Sequence, residues 1–432
     1  MMLAERRAMR YRKPQMLPAA AVLVIVAAMM AGCGAIPGLK GEKDPNPPTP
    51  IDKKLPQQVS LNTLWKTRIG KGTDERQVGL TPVLANGRLY AADPSGSIVA
   101  LSPRDGRVLW ERKTGFAFSG GPAVAGDTLL VGTSDGELVA LSTGNGAQKW
   151  RAQLGSEILS VPRVVGDLIV VHTIDDSVHG MELADGSRRW RFAYQAPILT
   201  LRGSSTPAVV GEDVIVGFSG GKIARLEPEA GVPLWETTVT PPHGRSELDR
   251  IADIDADPVV VGNAVYVGTY NGDLAAVDVD TGSVLWRREL SAYAGLAADD
   301  SALYITDSDD NIWAANPADG SGLWRQEKLA HRRLTAPALL GSYLAVGDLE
   351  GYLHLLSRRD GRLLGYERVS KDRIGQAPVV ADGLAYVYAN DGTVAAVRAG
   401  SLVRPEPGAS VSGAGAASKP PPLKEDNPPE AL

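Results

Sequence analysis

Few side chains in this 432-residue sequence are of the kinds that make or break covalent bonds. Cys33 is the single cysteine, so an intramolecular disulfide, a thiolate cluster and a paired-cysteine redox centre are excluded. Five histidines are scattered along the chain. His172 and His179 fall close together without a carboxylate or thiol at ligand spacing, and His243, His331 and His354 lie elsewhere, so no metal centre is expected. Asp307-Ser308-Asp309-Asp310-Asn311 has the acidic density of a calcium loop, but no Glu follows at the spacing such a loop needs. No Ser stands at a strand-to-helix elbow, so Ser-His-Asp chemistry has no support. A net charge of −5 offers no basic footprint for phosphate. These residue types point away from catalysis and from any resident cofactor, and leave binding.

The elements that would position a binding surface come from a repeat. TPVLANGRLYAADPSGSIVALSPRDGRVLW (81–110) sets the pattern, and GPAVAGDTLLVGTSDGELVALSTGNGAQKW (121–150) copies it. Further copies run over 161–190, 206–235 and 257–286, a more eroded one ends at Trp324, and another ends at Tyr366 in place of Trp. Each unit has a short strand after Pro, a Gly turn and a second strand. A tight turn such as Asp135-Gly136 or Asn271-Gly272 leads to a third strand, and a fourth ends the unit with the aromatic residue. In this alignment Asp309 and Asp310 occupy the tight turn.

Four antiparallel strands about every 40 residues are the signature of an all-β propeller. The aromatic positions are Trp65, Trp110, Trp150, Trp190, Trp235, Trp286, Trp324 and Tyr366. Their regularity predicts packing between blades rather than a stacking platform for nucleic acid, which would need a basic groove. The last unit, 377–399, lacks a Trp strand, and the segment LNTLWKTRIG (61–70) is a Trp strand with no unit before it. Placing that segment as the fourth strand of the last blade closes an eight-bladed ring over 59–400 and leaves no open edge.

The two ends differ from this body. Arg6, Arg7, Arg10, Arg12 and Lys13 precede an apolar stretch from Leu17 to Met30, the pattern of a secretory signal over 1–32. Met30-Ala31-Gly32-Cys33 resembles the bacterial lipobox, which makes Cys33 the lipidated first residue; an ordinary cleaved signal beside a chance Cys is the alternative. Without residues 1–32 the balance is 40 basic against 49 acidic residues, a net −9, so a lipid rather than a basic patch would hold the body at a membrane. By resemblance to sorted lipoproteins, Gly34 rather than Asp after the Cys favours the outer membrane. Residues 33–58 are expected to be a lipidated Cys and a flexible Pro-rich tether. Residues 401–432, rich in Pro, Ala, Gly and Ser, are expected to be disordered.

The units differ most in their connections. From each Trp to the next unit's first Pro the interval is 12 residues after Trp110 and Trp150 and 13 after Trp324. It grows to 17 after Trp65 and Trp190 and to 23 after Trp235. The loops after Trp190 and Trp235 join neighbouring blades, so they should form one raised patch.

Two resemblances bear on function. The Trp repeats are similar to those of pyrroloquinoline-quinone dehydrogenases, but the vicinal Cys pair of those enzymes is absent. The whole pattern resembles the BamB family, lipoproteins of the outer-membrane β-barrel assembly machine. The motifs that single out this family are LRGSSTP (201–207) and SELDR with the Asp253 and Asp255 that follow it. The resemblance implies a non-enzymatic scaffold, lipid-anchored at the outer membrane and facing the periplasm, without a cofactor. It implies docking on the periplasmic domains of BamA, the barrel subunit, alongside other Bam subunits, and admits nascent outer-membrane proteins as partners. Carried over by motif, the contact residues are Leu199, Leu201 and Arg202 in the first loop and Asp253 and Asp255 in the second. Alternatively, Arg202 pairs with Asp253 or Asp255 inside the protein and shapes the loops. The other functions left open are a quinone-type dehydrogenase and an envelope-polymer-binding lipoprotein.

Overall fold

The repeat folds because two of its strands are apolar on both faces. The second strand, as in Thr128–Thr133, and the third, as in Ser97–Leu101, are buried along their whole length, which a strand achieves only when sheets cover both of its sides. The outermost strands, such as Val108–Lys113, are largely exposed and bear the charges. Between the second and third strands the chain reverses in three residues, as between Thr269 and Asp273 or between Asp307 and Asn311. Asn271 and Asp310 take the left-handed conformation there, at φ 49° and 64°, a region that Asn and Asp tolerate better than most residues.

A computed structural model describes residues 45–54, 56–73, 76–292, 294–402 and 416–423. The described residues from Pro48 onward form one unit. Among the described residues there are eight sheets, each with four antiparallel strands that are consecutive in the chain in all but one, and one short 3-10 turn. One sheet gains a two-residue parallel strand, Gly79–Leu80, beside Phe118–Ala125. The protein is an eight-bladed β-propeller. Blades 1 to 7 span 83–113, 118–153, 163–193, 208–238, 259–289, 296–326 and 338–368. Blade 8 combines three strands of 379–402 with Val59–Arg68, whose Trp65 lies opposite Ala396. The N-terminal strand therefore closes the ring as the sequence indicated.

Seven of the eight seams between blades repeat one device. The Trp Nε1–H of one blade donates to a carbonyl of the next, at 2.6–3.1 Å, from Trp65 to Pro103 through Trp324 to Arg358. The indole lies flat over a glycine. At Gly231 a Cβ would stand 2.4 Å from the Trp190 ring, and φ is 67°, so both space and backbone require Gly there. The bond from Trp65 to Pro103 joins the last blade to the first. The seam from blade 7 to blade 8 is built differently. Tyr366 replaces Trp, and the backbone of Gln58 donates to Leu364 at 2.7 Å as the closing strand begins.

Candidate functional site

In every blade the outermost strand ends on one face of the ring and hands the chain to the innermost strand of the next blade. The connections 194–207 and 239–258 do this at successive seams, between blades 3 and 4 and between blades 4 and 5. An aromatic cluster braces the start of the first loop. Tyr194 packs edge-on against Phe192 and Phe218, at centroid distances of 5.2 and 4.6 Å, and the Lys222 ammonium stands 4.8 Å above its ring. Burial and the neighbouring Glu236 push the Tyr194 phenol well above its ordinary range.

The second loop has two halves of opposite character. Residues 241–250 form an exposed tip, within which Ser246 and Asp249 cap each other's backbone N–H at 3.1 and 3.0 Å. Residues 251–256 return underneath with Ile251, Ala252, Ile254 and Ala256 buried. Asp253 stitches the halves of the patch together. Its carboxylate accepts the Leu201 N–H at 2.7 Å and the Gly220 N–H at 2.9 Å, while its own carbonyl accepts from Tyr270 at 3.0 Å. Thus one residue fixes the first loop and the end of a blade-4 strand through its side chain, and a blade-5 turn through its backbone.

These bonds place the sequence-derived contact residues in three different settings. Leu199 is 40% exposed, and Arg202 is also on the surface. Leu201 is half-buried with its N–H taken by Asp253. Asp253 is only 1% exposed and Asp255 is largely covered, so neither presents a free carboxylate at the rim of the patch. Asp255 lies against the backbone of Gly203, where a Cβ would come within 2.4 Å of its carboxyl carbon; this close approach explains the Gly in LRGSS. Burial, reinforced by Asp253 and Asp176 and opposed by His172, pushes the Asp255 carboxyl up to about 7.

Arg202 does not pair with either aspartate. Its guanidinium reaches Glu157 at 2.7 Å and the Gln77 carbonyl at 2.5 Å. Glu157 belongs to the loop between blades 2 and 3, and Gln77 to the long loop after Trp65. Arg202 therefore ties the first loop back to two other connections on this face. The tip residues that the motif comparison missed are Ile198, 99% exposed, and Leu248, 66% exposed. Together with Leu199 they give the patch its apolar surface. Their signal in the sequence was a large apolar residue in a polar or turn-forming loop, beside Leu199 in the first loop and alone in SELDR in the second.

The other candidates fill structural roles. His172 Nδ1 meets the Ser205 carbonyl at 3.0 Å and its Nε2 lies 3.7 Å from Asp176, beneath the first loop. His179 is buried, and that burial, aided by Arg191, pulls its imidazole down to about 4, so it is neutral near pH 7. The Asp307 carboxylate is taken by the backbone of Asp309 and Asn311 and by the Asn311 and Trp313 side chains, at 2.8–2.9 Å, which is hairpin-turn chemistry. Cys33 and the signal segment lie outside the described residues. No helix among those residues is long and apolar enough to cross a membrane.

With this geometry established, similarity to known proteins is extensive. The family model described as outer membrane protein assembly factor BamB matches residues 58–120, 94–326 and 308–404. A relative of that name from Pseudomonas aeruginosa is 44% identical over 376 residues, covering 87% of this chain and 97% of its own. The crystal structure of BamB from Moraxella catarrhalis superposes with a TM-score of 0.73 at 28% identity, covering 78% of this chain and 100% of that one. A quinohemoprotein alcohol dehydrogenase from Pseudomonas putida shares the fold alone, with a TM-score of 0.64 at 16% identity over 85% of this chain and 78% of its own.

Proposed function

The chain belongs to the family of outer membrane protein assembly factor BamB, and on that premise we propose that it is a non-enzymatic scaffold subunit of the outer-membrane β-barrel assembly complex. It docks through the two-loop patch on the periplasmic domains of the barrel subunit BamA and so assists assembly and insertion of β-barrel proteins. It is held at the outer membrane through a lipid on Cys33 and faces the periplasm.

One observation supports the docking reading above the others. Two of the three longest connections lie at successive seams, and they expose Ile198, Leu199 and Leu248 over a base fixed by Asp253 and Arg202. Apolar anchors at the centre of a patch, ringed by polar groups, are the arrangement that concentrates binding energy in protein interfaces. Preorganisation adds to it, because loops already tied to the body lose little entropy on docking. Asp253 and Asp255 then act by shaping the surface, and Leu201 by joining the first loop to Asp253.

The reading is tested by capture of purified BamA periplasmic domains with an Ile198→Ser, Leu248→Ser variant. Affinity is expected to fall about 10- to 100-fold with the melting temperature unchanged. Undiminished capture would remove the patch from the interface. Anchoring is tested separately: Cys33→Ser should release the protein from the membrane fraction, and normal retention of that variant would end the lipid assignment.

A further inference from the structure

The C-terminal segment offers a second binding surface, away from the loop patch and outside the region matched by the family model, which ends at residue 404. Residues 416–423, AASKPPPL, lie along the outer edge of blade 6. Ser418 pairs antiparallel with Arg325: its N–H donates to the Arg325 carbonyl at 2.8 Å, and its carbonyl accepts the Arg325 N–H at 3.2 Å. Both backbone groups of an outermost strand, normally left to water, are taken by the tail.

The edge of blade 6 also has a notch that suits this segment. The residues on the corresponding rung of the first five blades are Val108, Gln148, Arg188, Pro233 and Val284, whereas blade 6 has Gly322. A Cβ on Gly322 would stand 3.0 Å from two ring carbons of Pro420 and 3.6 Å from the Trp313 ring. The proline thus sits in the space of the missing side chain, near the Trp313 indole, over which the Arg325 guanidinium stands at 4.9 Å. On either side of the edge the tail contributes one apolar side chain. Ala417 packs against the cluster that includes Trp324 and Leu329, and Leu423 against the cluster that includes Trp286 and Trp313. A run of three prolines is stiff in extended form, so little freedom is lost when it docks.

We infer that the outer edge of blade 6 is a binding site for an extended, proline-containing peptide and that residues 416–423 are its built-in occupant, keeping other extended chains off this edge. Backbone pairing at Arg325 supplies the generic affinity, and the Gly322 notch beside Trp313 supplies the preference for proline.

Three full-length proteins test this: the unsubstituted chain, Ser418→Pro, and Ser418→Pro combined with Gly322→Val. Proline at 418 removes the N–H that bonds Arg325, and Val is what blades 1 and 5 already hold on the Gly322 rung. The probe is a fluorescein-labelled synthetic peptide of residues 414–425, read by anisotropy, with amide exchange at Arg325 followed in parallel. Ser418→Pro should speed exchange at Arg325 and bind the probe at least about tenfold more tightly than the unsubstituted chain, whose site is filled. Adding Gly322→Val should abolish that gain while the melting temperature holds. Equal probe binding by all three, absence of binding to Ser418→Pro, or a concentration-dependent dimer showing that the tail crosses to a second copy would each overturn the inference.

Discussion

The blade seams and the loop patch are held by opposite strategies. Along the ring one device recurs: a Trp N–H on the next blade's carbonyl, with a left-handed glycine beneath the indole. Each copy acts locally and resembles its neighbours, so the ring is stabilised many times over. The patch is built once. Its two loops depend on the Asp253 carboxylate and on the Arg202 contacts to Glu157 and Gln77, groups that are far apart in sequence. Repetition makes a rigid platform, and the departures from repetition form the surface that can be specific. Damage to a seam should therefore appear as lost stability, and damage to the patch as lost binding at modest cost in stability.

The largest effect should come from the one place where ring and closure coincide. Deleting residues 59–68 removes a strand of blade 8 and the Trp65 bond to Pro103. It exposes a long edge, and the expected outcome is loss of the cooperative melt by circular dichroism, with aggregation. A deletion protein that melts as the intact chain does would show that the ring does not need this strand. Next in size is Trp286→Ala, which empties a seam and leaves the Pro317 carbonyl only the longer bond from the Tyr266 hydroxyl, at 3.4 Å. A cost of about 3–5 kcal/mol is expected in denaturant titration, with capture of the partner intact below the melting transition. Asp253→Ala falls across the comparison. It leaves the Leu201 and Gly220 amides without their acceptor, so a loss of about 1–3 kcal/mol should accompany weaker capture. Weakened capture at unchanged stability would mean that Asp253 touches the partner rather than fixing the loops.

Much of this contrast was legible in the sequence, for physical reasons. Trp at near-constant spacing and a turn before each third strand leave few alternatives to a propeller. The missing Trp strand of the last unit pointed to Val59–Arg68 because an incomplete blade would expose an edge. Loop lengths located the patch. What could not be seen were the partners across the ring: nothing near Arg202 in sequence announces Glu157 or Gln77. The alternation in IADIDA looks like a surface run, yet it passes under the tip and buries Asp253 among its apolar neighbours. The ends gave the other difference. The tether and tail lack the apolar content to fold alone, but Thr49 is held by Ala330 and by Arg332, itself paired with the buried Asp348 at 2.7 Å, and Ser418 borrows an existing strand. Composition measures what a segment can bury by itself, and the described pieces 45–54 and 416–423 rest on surfaces made elsewhere.

The smallest effect sharpens the comparison most, because it separates the two aspartates of the motif. Asp253 spends its charge on two amide donors, whereas Asp255 has no hydrogen bond to its carboxylate among the described residues and faces Asp253 and Asp176. Its carboxyl is raised from 3.8 to about 7, so between those values the folded protein binds a proton that the unfolded chain has released. Stability from this group is therefore greatest at the acid end of that window and is lost as pH rises toward 7; above 7 the loss is complete and constant. Asp255→Asn, which is neutral throughout, should match the parent's stability near pH 4 and exceed it by an amount that grows to pH 7 and then stays level. Water reaches part of this carboxyl, so the gain at pH 8 is expected to be on the order of 1 kcal/mol rather than the full linkage value. Thermal melts of both proteins at pH 5 and pH 8 measure it. A difference that is the same at both values would mean that Asp255 is already ionised when folded and that the covered underside of the patch, like its rim, is open to water.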